Sequence, residues 1–155
     1  EDGRIVGVTE ELSAQEIYEM GRKVEPFVIA EETRMGHIHL SVKDSQLASA
    51  FYQEVLGLAD KFTIPSASWI ASGDYHHHLA VNEWGGKNLA KREKGMIGLA
   101  YYVLEVEDKE DLITIAERAK NRGAEVKWLS SNSLIFEDND GILTRVRKIL
   151  IISDF

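Results

Sequence analysis

The sequence predicts an α+β fold of two paired βαβββ units whose strands form a curved cup with the helices outside, and three observations predict it. Stretches of strand-like alternation and of helical spacing follow one another in the order β-α-β-β-β, and that order occurs twice. The two copies match in detail, because His37 is followed by Val42 and Asp44 at the same separations at which Tyr101 is followed by Val106 and Asp108. All 5 histidines fall in two short stretches of the first copy, Met35 to Val42 and Asp74 to Asn82, both of which read as strands. The expected organisation is a leader over residues 1–34 and a module over 35–155, with its units at 35–88 and 95–150.

In chain order, Arg4 to Val8 is β-prone, and Ser13-Ala14-Gln15-Glu16 reads as a capping box that starts a short helix ending near Gly21. That helix would present Ile17 and Met20 on one side, and Pro26 marks the passage into the domain proper. After the His37 strand, Asp44 or Ser45 can cap a helix whose apolar residues Leu47, Ala48, Phe51, Tyr52, Val55 and Leu56 recur at three- and four-residue spacing. Gly57 is placed to end it in the left-handed conformation. Lys61 to Ile64 and Ser68 to Ala71 follow as short strands, then the histidine-rich strand. Trp84 to Asn88 and the charged Lys91 to Lys94 make a solvated connecting loop.

The second unit opens with a strand over Gly98 to Glu107, on which Tyr102, Leu104 and Val106 oppose Tyr101, Val103 and Glu105. Asp108 is placed to cap a helix bearing Leu112, Ile115, Ala116 and Ala119, which Gly123 ends. Strands are expected over Ala124 to Leu129, Ser133 to Glu137 and Leu143 to Arg147, with Asp138-Asn139-Asp140-Gly141 as the last turn.

Composition narrows the function. At 155 residues, 44% hydrophobic and 28% charged, the chain is of single-domain size and can bury a core. A net charge of −8 argues against a phosphate-binding surface, so nucleic acid is not an expected partner. With no cysteine, disulfides and thiolate sites are unavailable, and any metal must be held by nitrogen and oxygen. No apolar run approaches the roughly 20 residues of a membrane span and no signal peptide is visible, so a cytoplasmic protein without a membrane partner is expected. The chain begins at Glu1 rather than methionine, and a fragment of a longer protein is one expectation.

Strand alternation gives the histidines a geometry. His37, His39 and Ser41 share one face and Ile38, Leu40 and Val42 the other; His76, His78, Ala80 and Asn82 share a face opposite His77, Leu79 and Val81. If the aliphatic faces lie under a helix, up to four imidazoles project together, and neutral imidazole both ligates first-row metals and serves as a base near neutral pH. By the same parity His77 is structural. The competing reading is a wet strand face whose histidines bind nothing.

The segments Met35-Gly36-His37-Ile38-His39-Leu40 with Asp44, Phe51-Tyr52-x-x-Val55-Leu56-Gly57, and Gly73-x-Tyr75-His76-His77-His78-Leu79 with Asn82 and Trp84 carry a family resemblance. They are similar to the vicinal oxygen chelate superfamily, the glyoxalase/bleomycin-resistance/dihydroxybiphenyl dioxygenase fold, and within it to the C-terminal half of two-module catechol 2,3-dioxygenases. The resemblance implies ligands from the first and last strands of each unit, which here are His37, about His78, Tyr101 and about Arg145. Extradiol enzymes use two histidines and a carboxylate around Fe(II), whereas Arg145 stays protonated and cannot ligate.

Three completions stay open. His37 and His78 can be joined by Glu105 as metal ligands; His39 or His76 can supply a third nitrogen; or Tyr101 and Arg145 can offer a hydroxyl and a cation to an anionic or phenolic ligand without a metal. What the resemblance implies is a metal-dependent oxidoreductase of the catechol 2,3-dioxygenase type acting on a small vicinal-oxygen substrate, with Fe(II) or Mn(II). His37, His78 and Glu105 would hold the metal, and His39, His76 and Tyr101 would be the catalytic groups. The alternative is a non-catalytic binding or structural half that holds no metal. An N-terminal module of the same protein is an implied partner, and a lone module invites a homodimer. Isomerisation in the manner of glyoxalase I is a lesser expectation, since it needs an acidic group where His78 and Arg145 stand.

Overall fold

Two repeats of one strand-helix-strand pattern build the chain. The computed structural model describes residues 11–21, 26, 28–87, 89–91, 93 and 95–149; the β-prone stretch at Arg4 to Val8 lies outside them. After α1 (Ala14–Met20), the first unit is β1 (Ile38–Ser41), α2 (Ser45–Leu56), β2 (Ala59–Ile64), β3 (Ala67–Ala71) and β4 (Leu79–Asn82). The second is β5 (Tyr102–Val106), α3 (Lys109–Asn121), β6 (Val126–Ser130), β7 (Ser133–Glu137) and β8 (Leu143–Lys148). Ile38 and Tyr102, Ser45 and Lys109, and Leu79 and Leu143 open corresponding elements at one constant separation along the chain.

The strands form two four-stranded sheets, ordered β1-β4-β3-β2 and β5-β8-β7-β6. In each, the first and last strands of the unit run parallel, β1 with β4 and β5 with β8, while the others pair antiparallel. Helix α2 packs on β3 and β4, α3 packs on its own sheet, and the two helices touch each other. One apolar core therefore crosses both units, with Phe51, Tyr52, Val55, Leu79 and Val81 joined to Leu112, Leu134, Phe136 and Val146. Burial of this kind stabilises by about 25 cal/mol per Å² of apolar surface and outweighs the weak local propensities of four- and five-residue strands.

Local chemistry explains the boundaries. Asp44 caps α2, accepting the backbone N–H groups of Gln46 at 3.0 Å and Leu47 at 2.9 Å, and Gly57 ends the helix at φ +71°. Asp108 occupies the N-cap of α3, but its side chain makes no capping hydrogen bond. Ser13 likewise precedes α1 without a side-chain cap, so the expected capping box is not formed, and α1 buries none of its residues.

Two strand expectations are corrected. The first strand of the second unit opens at Tyr102 rather than Gly98, and β4 opens at Leu79, so His76, His77 and His78 precede the strand in a bent segment. Parity does not govern side chains there, because alternation holds only for extended, paired backbone.

A buried polar network fastens the second unit's last turn to the first unit's helix. Tyr52 donates its hydroxyl to Asp138 Oδ2 at 2.6 Å, and Asp138 Oδ1 accepts the N–H groups of Asp140 at 3.0 Å and Ile142 at 2.7 Å. Nearby, Thr144 Oγ1 donates to the Tyr102 hydroxyl at 2.8 Å. Burial pushes both tyrosines above their ordinary range, and pushes the Asp138 carboxyl up while its hydrogen bond from Tyr52 opposes that.

Candidate metal centre

The register of the first sheet sets out the site. His39 lies against Ala80, Ala80 against Trp69, and Trp69 against Phe62, so these four residues form one row across the sheet on a single face. The next row, Leu40, Val81, Ser68 and Thr63, faces α2, where Ser49 and Ser68 hydroxyls meet at 2.7 Å. The face turned away from the helix thus carries imidazole at one edge and a Trp69–Phe62 ring contact, with centroids 5.4 Å apart, at the other. Ala80, 1% exposed, stands between them.

Four imidazoles gather at the imidazole edge. The ring of His37 lies 4.1 Å from that of His77, 5.3 Å from His39 and 5.4 Å from His76, and His76 and His77 stand edge to face at 4.4 Å. His39 Nε2 and His77 Nε2 are 3.0 Å apart. One ligand atom from each of His37, His39 and His77 falls within 4.8 Å of the other two, the one such trio among the described residues. His77, the least exposed of the three, reaches this position because its segment is bent rather than extended.

Several contacts hold that segment, among them a backbone bond from the His78 N–H to the Ile70 carbonyl at 3.0 Å. Ile38 donates its N–H to the His78 carbonyl at 3.1 Å, and the Tyr75 hydroxyl sits where a side chain at residue 36 would be, 3.2 Å from the position of a Cβ on Gly36. Glycine at 36 leaves room for that approach.

The environment keeps imidazoles neutral. Burial, followed by the charges of His37, His76, His39 and His78, brings His77 down to about 4. His39 is lowered by burial and by His37, and His78 by burial, His76 and Lys61. A metal ligand must be the neutral ring, so the crowding that disfavours protons is the condition a cation needs. A separation of 3.0 Å between two donor nitrogens also suits neighbouring ligands of one ion, given metal–nitrogen bonds of roughly 2.0–2.1 Å.

The other residues singled out in the sequence are placed differently. His78 turns away from the trio: its Nδ1 accepts the Ser72 N–H at 3.3 Å and its ring lies 4.7 Å from Tyr75. Glu105 accepts from Arg147, its cross-strand neighbour, at 2.8 Å through Nε. Tyr101, 46% exposed, has no hydrogen bond or ring contact with the histidines among the described residues. Arg145 donates from Nε to Ser133 Oγ at 2.9 Å. The structure thus groups His37 with His39 and His77, places His76 at the edge, and leaves His78 and Glu105 outside the trio. Sequence parity missed His77, Trp69 and Phe62; the three consecutive histidines were the signal for the first, since no single strand face can take all of them.

Two βαβββ units with imidazoles clustered on the sheet face opposite the helix define a metal-capable α+β module. Residues 34–146 match the Glyoxalase/Bleomycin resistance protein/Dioxygenase superfamily, and the chain belongs to that family. A catechol-2,3-dioxygenase of Bacillus subtilis (strain 168) is 37% identical over 98 residues, which are 62% of this chain and 34% of that protein. The chain thus matches about a third of that relative's length.

Among solved structures, a glyoxylase/bleomycin resistance protein/dioxygenase domain from Frankia sp. EAN1pec has a TM-score of 0.59 at 22% identity, covering 75% of this chain and 97% of that one. A lactoylglutathione lyase from Agrobacterium tumefaciens has a TM-score of 0.58 at 17% identity, covering 81% and 100%. A fosfomycin resistance protein from Listeria monocytogenes has a TM-score of 0.55 at 20% identity, covering 77% and 95%. At these identities the likeness is one of fold.

Proposed function

We propose that this chain is the metal-holding module of a catechol-2,3-dioxygenase-type oxidoreductase acting on a small substrate with two neighbouring oxygens. The observation that carries the reading is the His37, His39 and His77 trio, whose donor atoms all lie within 4.8 Å of one another. Its chemical support is the Bacillus subtilis relative, named a catechol-2,3-dioxygenase.

A divalent ion held by these nitrogens, Fe(II) or Mn(II) in this reading, would supply Lewis acidity to the substrate oxygens. His37, His39 and His77 would hold it as neutral rings. Trp69 and Phe62, in the same row as His39, would receive the face of an aromatic substrate. His76, with its ring 5.4 Å from His37, would take or return a phenolic proton. Tyr101, the residue just before the first strand of the other unit, would offer its hydroxyl to the substrate.

A second reading, a non-catalytic binding or structural half of a two-module protein, is favoured by Arg145, which stands where the resemblance sets a carboxylate ligand. In either reading the remaining length of the relative suggests an N-terminal module as partner, or a second copy of this chain in its place.

The test is anaerobic Fe(II) and Mn(II) titration of wild type, His37→Ala, His77→Ala and His78→Ala, followed by oxygen uptake with catechol. The expected result is uptake near one equivalent, weakened about 100-fold or more in His37→Ala and His77→Ala and little changed in His78→Ala. Absence of saturable uptake, or loss in His78→Ala with His77→Ala unaffected, would overturn the ligand assignment. Metal uptake without oxygen consumption would favour the binding half.

A further inference from the structure

The repeats are related by a constant separation, and their two junctions ought to look alike; they do not. Where the last turn of the second unit meets the start of α2, Tyr52 reaches Asp138 and the Lys43 N–H donates to Asp140 Oδ1 at 3.0 Å, leaving a cleft of about 110 Å³. At the corresponding junction, the start of α3 meets the segment before β4. The counterpart of Tyr52 there is Ala116, and that of Asp138 is the exposed Asp74. There a cavity of about 530 Å³ opens between the units. That is the size range of small-molecule pockets, roughly 300–1,000 Å³.

We infer that this junction is a second ligand site, distinct from the histidine cluster, for a small molecule with an apolar body and one protonated amine. Its floor is apolar and comes from both units, with Leu79, Leu104, Ile115 and Val146 among its lining residues. Its rim carries Glu107, Asp108 and Asp111 against the cation Arg118, and His78, which lies outside the trio, also lines it with its protonation disfavoured by burial. Glu105 also lines it, but Arg147 already balances that carboxylate. Glu107, Asp108 and Asp111 have no ion-pair partner among the described residues, and Asp108 does not spend its oxygens on capping α3. An apolar hollow edged by unbalanced carboxylates selects an organic cation over an anion of the same shape, because the two differ only in the sign of their interaction with the rim. The inference does not rest on the metal reading.

The experiment is titration of the protein with 4-phenylbutylamine and, separately, 4-phenylbutyrate, followed by calorimetry and by shifts of backbone amide resonances. The amine should bind saturably, with shifts at Leu104 to Ile115, and the carboxylate should bind at least tenfold more weakly, a difference of about 1.4 kcal/mol. Glu107→Gln combined with Asp111→Asn should remove that preference, and Thr114→Trp, which fills the hollow from its own wall, should abolish binding at an unchanged urea midpoint. If Thr114→Trp fails to fold, the charge-neutral double variant decides alone. Equal binding of the two probes, amine binding indifferent to the double variant, or no saturable binding would overturn the inference. So would a concentration-dependent dimer that seals the cavity. His77→Ala should leave amine binding intact, so failure here is separable from failure of the metal site.

Discussion

Replacing Tyr52 with Phe removes one oxygen from the junction between the units and nothing else. The ring still packs edge to face on Phe51 with centroids 5.3 Å apart, and both Tyr52 and Asp138 are buried, at 0% and 5% exposure. What is lost is a 2.6 Å hydrogen bond to a carboxylate that keeps its other oxygen occupied by two backbone N–H groups. Bonds to charged groups contribute roughly 1.5–3 kcal/mol, and a buried acceptor left unpaired carries a further cost, so a loss of about 2 kcal/mol is expected at pH 7. Urea unfolding followed by tryptophan fluorescence should show the midpoint falling by about 1 M, given a slope near 2 kcal/mol/M for a chain of this size.

The pH dependence adds a second check. Burial raises the Asp138 carboxyl in the folded state, so between its ordinary and its folded value the native protein binds more protons than the unfolded chain. Stability contributed by this group therefore rises as pH falls through the folded value. Removing the Tyr52 donor lifts that value further, and the gap between variant and wild type should narrow as pH falls from neutral toward the ordinary carboxylate value. A loss under about 0.5 kcal/mol, which is ordinary for surface changes, or a gap constant over that range, would refute the account of the junction.

Three further outcomes are expected. Asp44→Ala should cost about 1 kcal/mol by thermal unfolding, because it loses two capping bonds, whereas Asp108→Ala should stay within about 0.5 kcal/mol; equal costs would mean the caps are not what distinguishes the helices. The metal-free protein should lose stability as pH falls from 6.5 to about 4, since His77 is held neutral in the fold but protonates once unfolded, and His77→Gln should flatten that slope in urea titrations. Leu112→Ala, at a fully buried position, should cost about 2–5 kcal/mol and lower the urea midpoint, while a smaller effect would mean the core closes over the gap.

The repeat was legible because it rests on local signals: apolar spacing in α2 and α3, Gly57 after the first helix, and matching separations around His37 and Tyr101. Strand alternation also placed His37 with His39 correctly. It failed at His76 to His78, where the segment leaves the sheet and the ring directions depend on Tyr75 settling over Gly36, a contact 39 positions apart along the chain that no periodicity encodes. Glu105 was on the expected face, yet its partner is set by the parallel register with β8, which brings Arg147 beside it. Trp69 and Phe62 joined the site only through the register of three strands.

The parallel pairing of β1 with β4 has a kinetic meaning. The hairpin of β2 and β3 can form from neighbouring residues, but β1 cannot find β4 until the helix and hairpin between them are in place, and contacts that close long loops are slow to form. His37 and His39 sit on one side of that late contact and His77 on the other. The imidazole trio thus spans the longest-range strand pairing of the first unit, and an ion bound there would cross-link the two strands and stabilise the folded state.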